Sequence, residues 1–448
     1  MPEAVAQPPI AMPSLRDIVL TAFILGLLPA VLTRPHWGIL LWTWVGLMNP
    51  HKMTWGFAYN FPFAMIIGIV TIFAILISKE PKRLPMNAVI ATLLLFILWM
   101  TITTAVFSLF PELAWPKWEK VMKIQVFILL TLIVMQSKER IRSLVLVATL
   151  SIAYFGIKGG LYTIAHGGGG MVLGPEGGFI SGNTEIALAL TVTLPLLRWL
   201  QLQTARRWLR LAITASMVLI AISILGSQSR GGFLALAAMI AFLWIKSRKK
   251  LLLGIVLASL AIGLFYAMPE KWHERMDTIE TYQQDDSAMG RIGAWRFATN
   301  LALDRPIGGG GFDTFQSRAY DRYAPTEKPL DPHSIWFQVL GEQGFVGLGL
   351  FVLLWMLAWR TGSRVIRICR DRPDLIWARD LAAMTQAALV GFWAGGSFLG
   401  LAYWDYPYIL IIVLVLTRVV VERAIGEEPA KVQTERTAKP GRLQTQSR

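Results

Sequence analysis

Polar residues with chemically useful side chains stand beside apolar segments at several places in this 448-residue sequence. His333 lies in Asp331-Pro332-His333-Ser334, directly before an apolar run. The ordinary pKa of histidine lies near neutrality, so its imidazole can accept a proton from an attacking hydroxyl. A capping or interfacial histidine without a catalytic role is the alternative interpretation of this position.

Two arginines have neighbours that are typical of anion-binding sites. Arg230 precedes two glycines at the predicted start of a helix, where free backbone N–H groups favour a phosphate. Arg291 precedes Trp295 by one helical turn, so a guanidinium for a phosphate and an indole for a sugar ring share one face. The alternative for Arg230 is an arginine that snorkels to lipid headgroups, and the alternative for Arg291 is a solvated salt bridge.

Two further residues are weaker candidates for substrate binding. Glu185 follows Gly-Asn-Thr at the mouth of a predicted span, and Arg318 lies four residues before a second arginine. The lone Cys369 and the five histidines form no cluster with metal-ligand spacing, and no nucleotide-binding or zinc motif occurs. We therefore predict neither a metal nor a cofactor.

The composition predicts a membrane protein. The sequence is 54% hydrophobic and 16% charged, with a mean hydropathy of +0.51, whereas soluble domains carry about 25% charged residues. Its apolar runs approach the ~17–25 residues that a helix needs to cross a bilayer. The predicted spans are 16–33, 36–48, 61–78, 86–108, 121–136, 141–165, 183–200, 210–226, 231–246, 250–268, 334–360, 380–403 and 405–421.

The connecting segments indicate an orientation. Those at 78–84, 137–142, 198–210 and 360–379 are rich in Lys and Arg, whereas the alternate segments are poor in them. Because cytoplasmic loops retain basic residues, the net charge of +15 reflects topology and not nucleic-acid binding. We interpret 36–48, roughly 20 Å long as a helix, as a partial or re-entrant element. The prediction is then an all-α polytopic bundle of about 12 spans with both ends inside.

The largest polar insertion, residues 269–332, is predicted to lie outside. Its eight Lys and Arg against eleven Asp and Glu are not typical of a cytoplasmic loop, and Ile292, Trp295, Ala298 and Ala302 recur at helical spacing. We predict one ordered loop subdomain here. The predicted domains are N-terminal spans at 1–268, the loop subdomain at 269–332, C-terminal spans at 333–426 and a disordered cytoplasmic tail at 427–448.

Taken together, these motifs resemble the O-antigen ligase/polymerase superfamily of bacterial inner-membrane proteins. The resemblance covers roughly residues 150–420, and the first 120 residues, with Met-Asn-Pro-His at 48–51, look like the exosortase-associated O-glycosylation ligase branch. The motifs that carry it, in order, are Gly-Asn-Thr-Glu at 182–185, Ser-Arg-Gly-Gly at 229–232, Gly-Arg at 290–291 with Trp295, Gly-Gly-Gly-Phe at 309–312, His333 and Gly-Glu-Gln-Gly at 341–344.

The resemblance implies an O-antigen ligase, a metal-independent and inverting glycosyltransferase. The donor would be a glycan on undecaprenyl diphosphate, and the acceptor would be lipid A-core at the periplasmic face. His333 would be the general base, and Arg230 and Arg291 would bind the diphosphate. Glu342 lies nine residues after His333, so in one continuous helix the two side chains point to opposite faces. Unless the chain bends near Gly341 or Gly344, Glu342 cannot orient His333, and we assign it a structural role.

Three alternatives stay open. Within the same chemistry the acceptor could be another lipid-linked glycan, as in an O-antigen polymerase, or a protein hydroxyl, as in a protein O-oligosaccharyltransferase. The alternative from another class is a transporter of lipid-linked sugars. It would need an aqueous path through the bilayer, and the scarcity of charged residues inside the predicted spans argues against such a path.

Overall fold

The computed structural model describes residues 14–247, 249–251, 254, 255, 259 and 286–437. Within these residues the chain forms α-helices, short 3-10 and π turns and loops, and it forms no strand, which confirms the predicted all-α class. The helices are α1 (Leu15–Thr33), α2 (His36–Met48), α3 (Phe63–Ile77), α4 (Ala88–Ile102), α5 (Pro111–Val134), α6 (Lys138–Ala165), α7 (Asn183–Leu202), α8 (Arg207–Gly226), α9 (Arg230–Lys246), α10 (Asp286–Asp304), α11 (Ser317–Tyr323), α12 (Ile335–Ile368), α13 (Ile376–Gly396) and α14 (Asp405–Thr437).

Some predicted elements lie outside the described residues. These are residues 1–13, the loop at 269–285, the last residues at 438–448 and most of the predicted span 250–268. Helix α14 continues to Thr437, so the tail predicted as disordered begins within a helix.

Six described helices are long and apolar enough to cross a membrane: α1, α4 with the π turn that follows it, α6, α7, α8 and α12. Helix α3 is equally apolar but shorter. Large apolar side chains such as Leu76, Val106 and Leu211 are exposed on their surfaces, as expected of helices that face lipid. The transmembrane class is therefore confirmed, while the count of about 12 spans stays a prediction.

Helices α7 and α14 form the centre of the bundle. Residues 186–193 of α7 and 406–417 of α14 are buried without interruption. A helix that is apolar on all sides requires neighbours on all sides. Helix α7 accordingly contacts α6, α8, α9 and α13, and α14 contacts α5, α6, α12 and α13.

The structure corrects the interpretation of segment 36–48 as re-entrant. At the start of α1, the Asp17 carboxylate accepts hydrogen bonds from the backbone N–H groups of Gly56 (3.2 Å) and Ala58 (3.0 Å), which belong to the α2–α3 connection. At the other end of α2, Pro35 lies beside Ser78 and Glu80. Helix α2 therefore runs the full distance between the two ends of the bundle, and α1 begins on the side predicted to be outside.

The segments predicted to lie inside contact one another. The Arg140 guanidinium donates to both carboxylate oxygens of Glu80 at 2.6 Å. The Gln136 amide donates to the Arg83 carbonyl (2.7 Å), and Arg423 donates to the Gln136 amide oxygen (3.3 Å). We call this end of the bundle, formed by residues 78–84, 134–142, 360–379 and 418–423, the basic end.

The described part of the predicted loop subdomain is ordered. The helical spacing around Trp295 becomes α10, and the shorter α11 packs against it. Phe297 of α10 stacks on Tyr320 of α11, with ring centroids 4.3 Å apart and planes 12° apart. A small core, to which Phe337 of α12 also contributes, holds this layer on the bundle.

Candidate active site

A polar cavity of about 470 Å³ lies between the described loop subdomain and the beginnings of α5, α7, α12 and α14. We call this end of the bundle the cavity end. The volume is typical of sites that bind small molecules, which span about 300–1,000 Å³. The lining residues are Pro116, Lys117, Lys120, Val121, Phe179, Glu185, Asp313, Phe315, Asp331, Pro332, His333, Gln338, Glu342, Gly400, Leu401 and Tyr403.

His333 is held in an unusual backbone conformation at the cavity wall. Its φ is +42°, in the left-handed region that a histidine rarely adopts. The Trp295 indole N–H donates to the carbonyl of Pro332 at 2.7 Å, and the Trp295 ring stacks on Phe337 with centroids 5.0 Å apart. Trp295 thus fixes the residue before His333, and one face of its indole is already occupied.

The surroundings of His333 favour its neutral form. Desolvation by burial lowers the pKa of the imidazole below 6.5, and the positive charge of Arg291 lowers it further. The carboxylates of Asp331 and Glu185 raise this pKa but do not cancel the first two effects. A neutral imidazole at neutral pH has a ring nitrogen ready to accept a proton.

Glu342 also faces this cavity, so the structural role predicted for it is incomplete. Helix α12 begins only at Ile335, and Gly344, with φ +67° and ψ −171°, interrupts it. Just before this break, Glu342 Oε1 accepts hydrogen bonds from Lys117 Nζ (3.0 Å) and from the Asp313 backbone N–H (3.2 Å). Its partner is therefore Lys117 and not His333.

Lys117 joins two acidic residues that are distant in sequence. Its ammonium lies 2.6 Å from Asp313 Oδ1 and 3.0 Å from Glu342 Oε1, and the Glu342 side chain is only 1% exposed. A buried carboxylate is costly unless it is paired, so this lysine makes the buried position of Glu342 possible. Asp313, like His333, has a positive φ, +53°.

The glycine run at 308–311 docks on the break in α12. Interrupting a helix frees backbone carbonyl groups that must find other donors. The Gly341 and Glu342 carbonyls accept from the N–H groups of Gly310 and Gly311, both at 2.9 Å. A Cβ atom on Gly309 would lie 2.5 Å from the Gly341 carbonyl oxygen, so only glycine fits there. This contact positions both Asp313 and Glu342 at the cavity.

The predicted diphosphate-binding arginines occupy different surroundings. Arg291, on α10, is half-buried and close enough to His333 to lower its pKa. Arg230 is the first residue of α9, where the Ser229 side chain caps the helix by accepting from the Gly232 N–H at 3.0 Å. Neither arginine lines the cavity as far as the structure describes the chain. That both converge on His333 stays a prediction.

Among the weaker candidates, Glu185 lines the cavity beside His333. Arg318 is exposed on α11 and does not line it. The sequence reasoning missed Lys117, Lys120, Asp313 and Tyr403. The sequence did contain one signal for the lysines. They come just before the predicted span 121–136, on the side predicted to be outside, where membrane proteins usually carry few basic residues.

The fold and the site define a multi-pass membrane protein with a polar cavity at one end of its helix bundle and a histidine at the cavity wall whose pKa is lowered by burial. Residues 215–352 match a family model described as O-Antigen ligase, which supports the O-antigen ligase/polymerase superfamily and a membrane glycosyltransferase activity of that type. Residues 15–206 match a family of unknown function. No curated protein matches the chain.

Both matched regions contribute to the cavity wall, and Gly400, Leu401 and Tyr403, beyond both, complete it. Arg230, Arg291 and His333 fall within the region that matches the ligase model, whereas Lys117 and Lys120 fall within the other. The cavity is therefore built from both parts of the chain.

Proposed function

We propose that the protein transfers O-antigen polysaccharide from undecaprenyl diphosphate to the lipid A-core acceptor. The observation that carries this proposal is a histidine with a lowered pKa at a polar, lysine-containing cavity, and this histidine lies within the region that matches the O-antigen ligase model. A donor with a diphosphate leaving group is already activated. The protein has to position two substrates, remove a proton and stabilise the departing charge.

In the proposed step the acceptor hydroxyl oxygen attacks the anomeric carbon of the first donor sugar and forms the new glycosidic bond. The hydroxyl proton passes to the unprotonated nitrogen of His333. The bond between the anomeric carbon and the diphosphate oxygen breaks, and the diphosphate leaves with the electron pair. Attack from the face opposite the leaving group inverts the anomeric centre. Nothing is oxidised or reduced, and His333 later returns its proton to solvent.

The arginines are proposed to act on the diphosphate. A guanidinium offers two parallel N–H donors to phosphate oxygens, and such charge-assisted contacts strengthen as charge develops on the leaving group. Arg291 has a second effect, because its charge holds down the pKa of His333. Glu185 is proposed to accept hydrogen bonds from sugar hydroxyls. Trp295 is proposed to position His333 through its hydrogen bond to Pro332, in addition to any contact with sugar. Arg318 stays the weakest candidate for substrate binding.

The proposed location is the bacterial inner membrane, with the cavity facing the periplasm. The clustering of basic segments at the opposite end of the bundle supports this orientation, because basic loops stay in the cytoplasm. Lipid-linked donor, lipid acceptor and the surrounding membrane lipid are the proposed partners.

The acceptor is tested by deleting the gene and examining lipopolysaccharide and envelope glycoproteins by gel. We expect loss of polymer on lipid A with normal glycoproteins, restored by the wild-type gene and not by a His333→Ala version. Loss of protein-linked glycan with normal lipopolysaccharide would instead favour protein O-glycosylation. Shortened polymer that still reaches lipid A would favour a polymerase.

The proposed mechanism needs no metal ion. Within the described residues, no group of three or more His, Cys, Asp or Glu side chains is arranged to hold one. We expect transfer by the purified protein to continue in EDTA. Loss of transfer in EDTA that added magnesium restores would contradict a metal-independent reaction.

A further inference from the structure

Lys120 is a second cation at the cavity wall. It lies one helical turn after Lys117 on α5, lines the cavity and is exposed to it. Its ammonium lies 4.1 Å from the centroid of the Phe179 ring, a cation–π contact that orients the side chain. An aromatic face attracts the charge but accepts none of the three ammonium N–H donors in a strong hydrogen bond.

The neighbouring lysines of α5 differ from Lys120 in how their charges are compensated. Lys117 pairs with Asp313 and Glu342, and Lys123 pairs with Glu119, four residues away, at 2.5 Å. Among the residues that the structure describes, no carboxylate lies within 4.0 Å of the Lys120 ammonium. Lys120 is thus the lysine of this helix whose donors remain available to a ligand in the cavity.

The remaining charges suggest where an anion would bind. Glu185 and Asp331 act electrostatically on His333 and would repel an anion there. Asp405 and Asp313 act on Lys120, but neither carboxylate lies within 4.0 Å of its ammonium. The charge of Lys117 is compensated by two carboxylates, which leaves Lys120 as the site on α5 for an oxyanion. A lysine ammonium is a compact point charge that binds phosphate oxygens well.

We propose that Lys120 forms a phosphate-binding subsite of the cavity, separate from the arginines, and that it holds a phosphate group of a substrate while the reacting sugar faces His333. This inference rests on the proposed glycosyl transfer and deepens it. The phosphate could belong to the donor diphosphate or to a phosphorylated acceptor, and these two sources are separable by kinetics.

The test compares Lys120→Met and Lys120→Arg with the control Lys123→Met. Lys123 lies on the same helix, is 63% exposed and does not line the cavity. The readouts are the KM for donor, the KM for acceptor and the binding of inorganic pyrophosphate to the purified protein. Because a hydrogen bond to a charged group contributes about 1.5–3 kcal/mol, we expect Lys120→Met to weaken the affected affinity roughly 10- to 100-fold.

A rise in donor KM with weakened pyrophosphate binding would support the subsite and assign the phosphate to the donor. A rise in acceptor KM alone would support the subsite and assign the phosphate to the acceptor. Lys120→Arg should retain part of the affinity. Lys120→Met with all three readouts equal to those of Lys123→Met would overturn the proposal. Wild-type protein that binds pyrophosphate through Lys120 but transfers no sugar would contradict the proposed function and leave the subsite standing.

Discussion

Ion pairs at the two ends of the helix bundle differ in whether a buried carboxylate takes part. At the cavity end, Lys117 bridges Asp313 and Glu342, and the Glu342 side chain is 1% exposed. At the basic end, Glu422 pairs with Arg418 one turn earlier on α14 and with Arg364 of α12, and the Glu422 side chain is 40% exposed. Both ends therefore join separate helices, but at the cavity end the Glu342 carboxylate is closed off from water, whereas at the basic end the Glu422 carboxylate stays partly solvated.

The difference shows which charges depend on the fold. Exposed pairs contribute about 0–1 kcal/mol, because water already solvates both partners. Removing one partner of a buried pair costs about 3–5 kcal/mol, because the other charge stays without compensation. The two ends also differ in backbone conformation. The residues Gln228, Asp313 and His333, which have positive φ values, all lie in segments predicted to be outside. Strain of this kind persists where the surrounding structure enforces it, often at functional sites.

The largest expected effect at the cavity end concerns His333. Replacing it with alanine removes the proposed base, so turnover should fall by about 10²–10⁴-fold while donor binding stays nearly intact. The measurement is transfer rate and donor affinity in nanodiscs. His166, which is exposed in the same predicted outer side, provides the control, and His166→Ala should be fully active. Wild-type turnover by His333→Ala would remove His333 from the mechanism.

The Lys117 network tests the comparison directly. Lys117→Met leaves Glu342 buried without its cation, and we expect a loss of about 3 kcal/mol in the free energy of unfolding. Arg418→Met at the basic end should cost no more than about 1 kcal/mol. Reversible denaturation in detergent, followed by tryptophan fluorescence, measures both. Equal losses would show that the two ends do not differ in the way described.

The glycine run gives a third, smaller effect. Gly309→Ala places a Cβ atom 2.5 Å from the Gly341 carbonyl oxygen at a φ of +59°, so we expect a loss of more than about 1 kcal/mol in stability. Gly349 is a control on the far side of the break, because no atom lies within 4 Å of a Cβ there. Alanine at Gly349 should be neutral or stabilising. A stable Gly309→Ala protein would mean that the loop and α12 are not tightly docked.

The smallest expected effect is a shift in pH dependence. Activity needs neutral His333, so the rate should rise with pH through the pKa of this group, which burial and Arg291 place below 6.5. Arg291→Gln removes a cation and should move this limb to higher pH, whereas Glu185→Gln removes an anion and should move it to lower pH. Arg296→Gln is the control, since Arg296 is exposed and pairs with Glu327. If the rate rises over the same pH range in all of these variants, a group other than His333 controls the pH dependence of the rate.

The sequence predicted the helical, membrane-spanning class well, because apolar runs are a local property. It also placed His333 at the start of a membrane helix, and α12 does begin two residues later. It failed at segment 36–48, where a 13-residue helix looked too short to cross. The bonds between Asp17 and the α2–α3 connection, which establish its course, join residues about 40 positions apart.

The site was predicted less completely for a related reason. A lysine near the start of an apolar helix has the same local sequence whether it snorkels to lipid or binds a buried carboxylate. The pairing of Lys117 with Glu342 spans 225 positions, and no local pattern encodes it. Trp295 was interpreted as a sugar platform, yet its N–H and one ring face hold Pro332 and Phe337. Only the folded structure shows whether such a side chain packs within the protein or is available to a ligand.

The docking of the glycine run on the broken helix α12 has a consequence for hydrogen exchange. Three backbone hydrogen bonds join the loop to α12: the Gly310 and Gly311 N–H groups donate to the carbonyls of Gly341 and Glu342, and the Phe345 N–H donates to the carbonyl of Pro306. None of these three amide protons can exchange with solvent until the loop separates from α12. A glycine-rich loop would ordinarily exchange within seconds, but these amides should exchange slowly and together, as one cooperative unit.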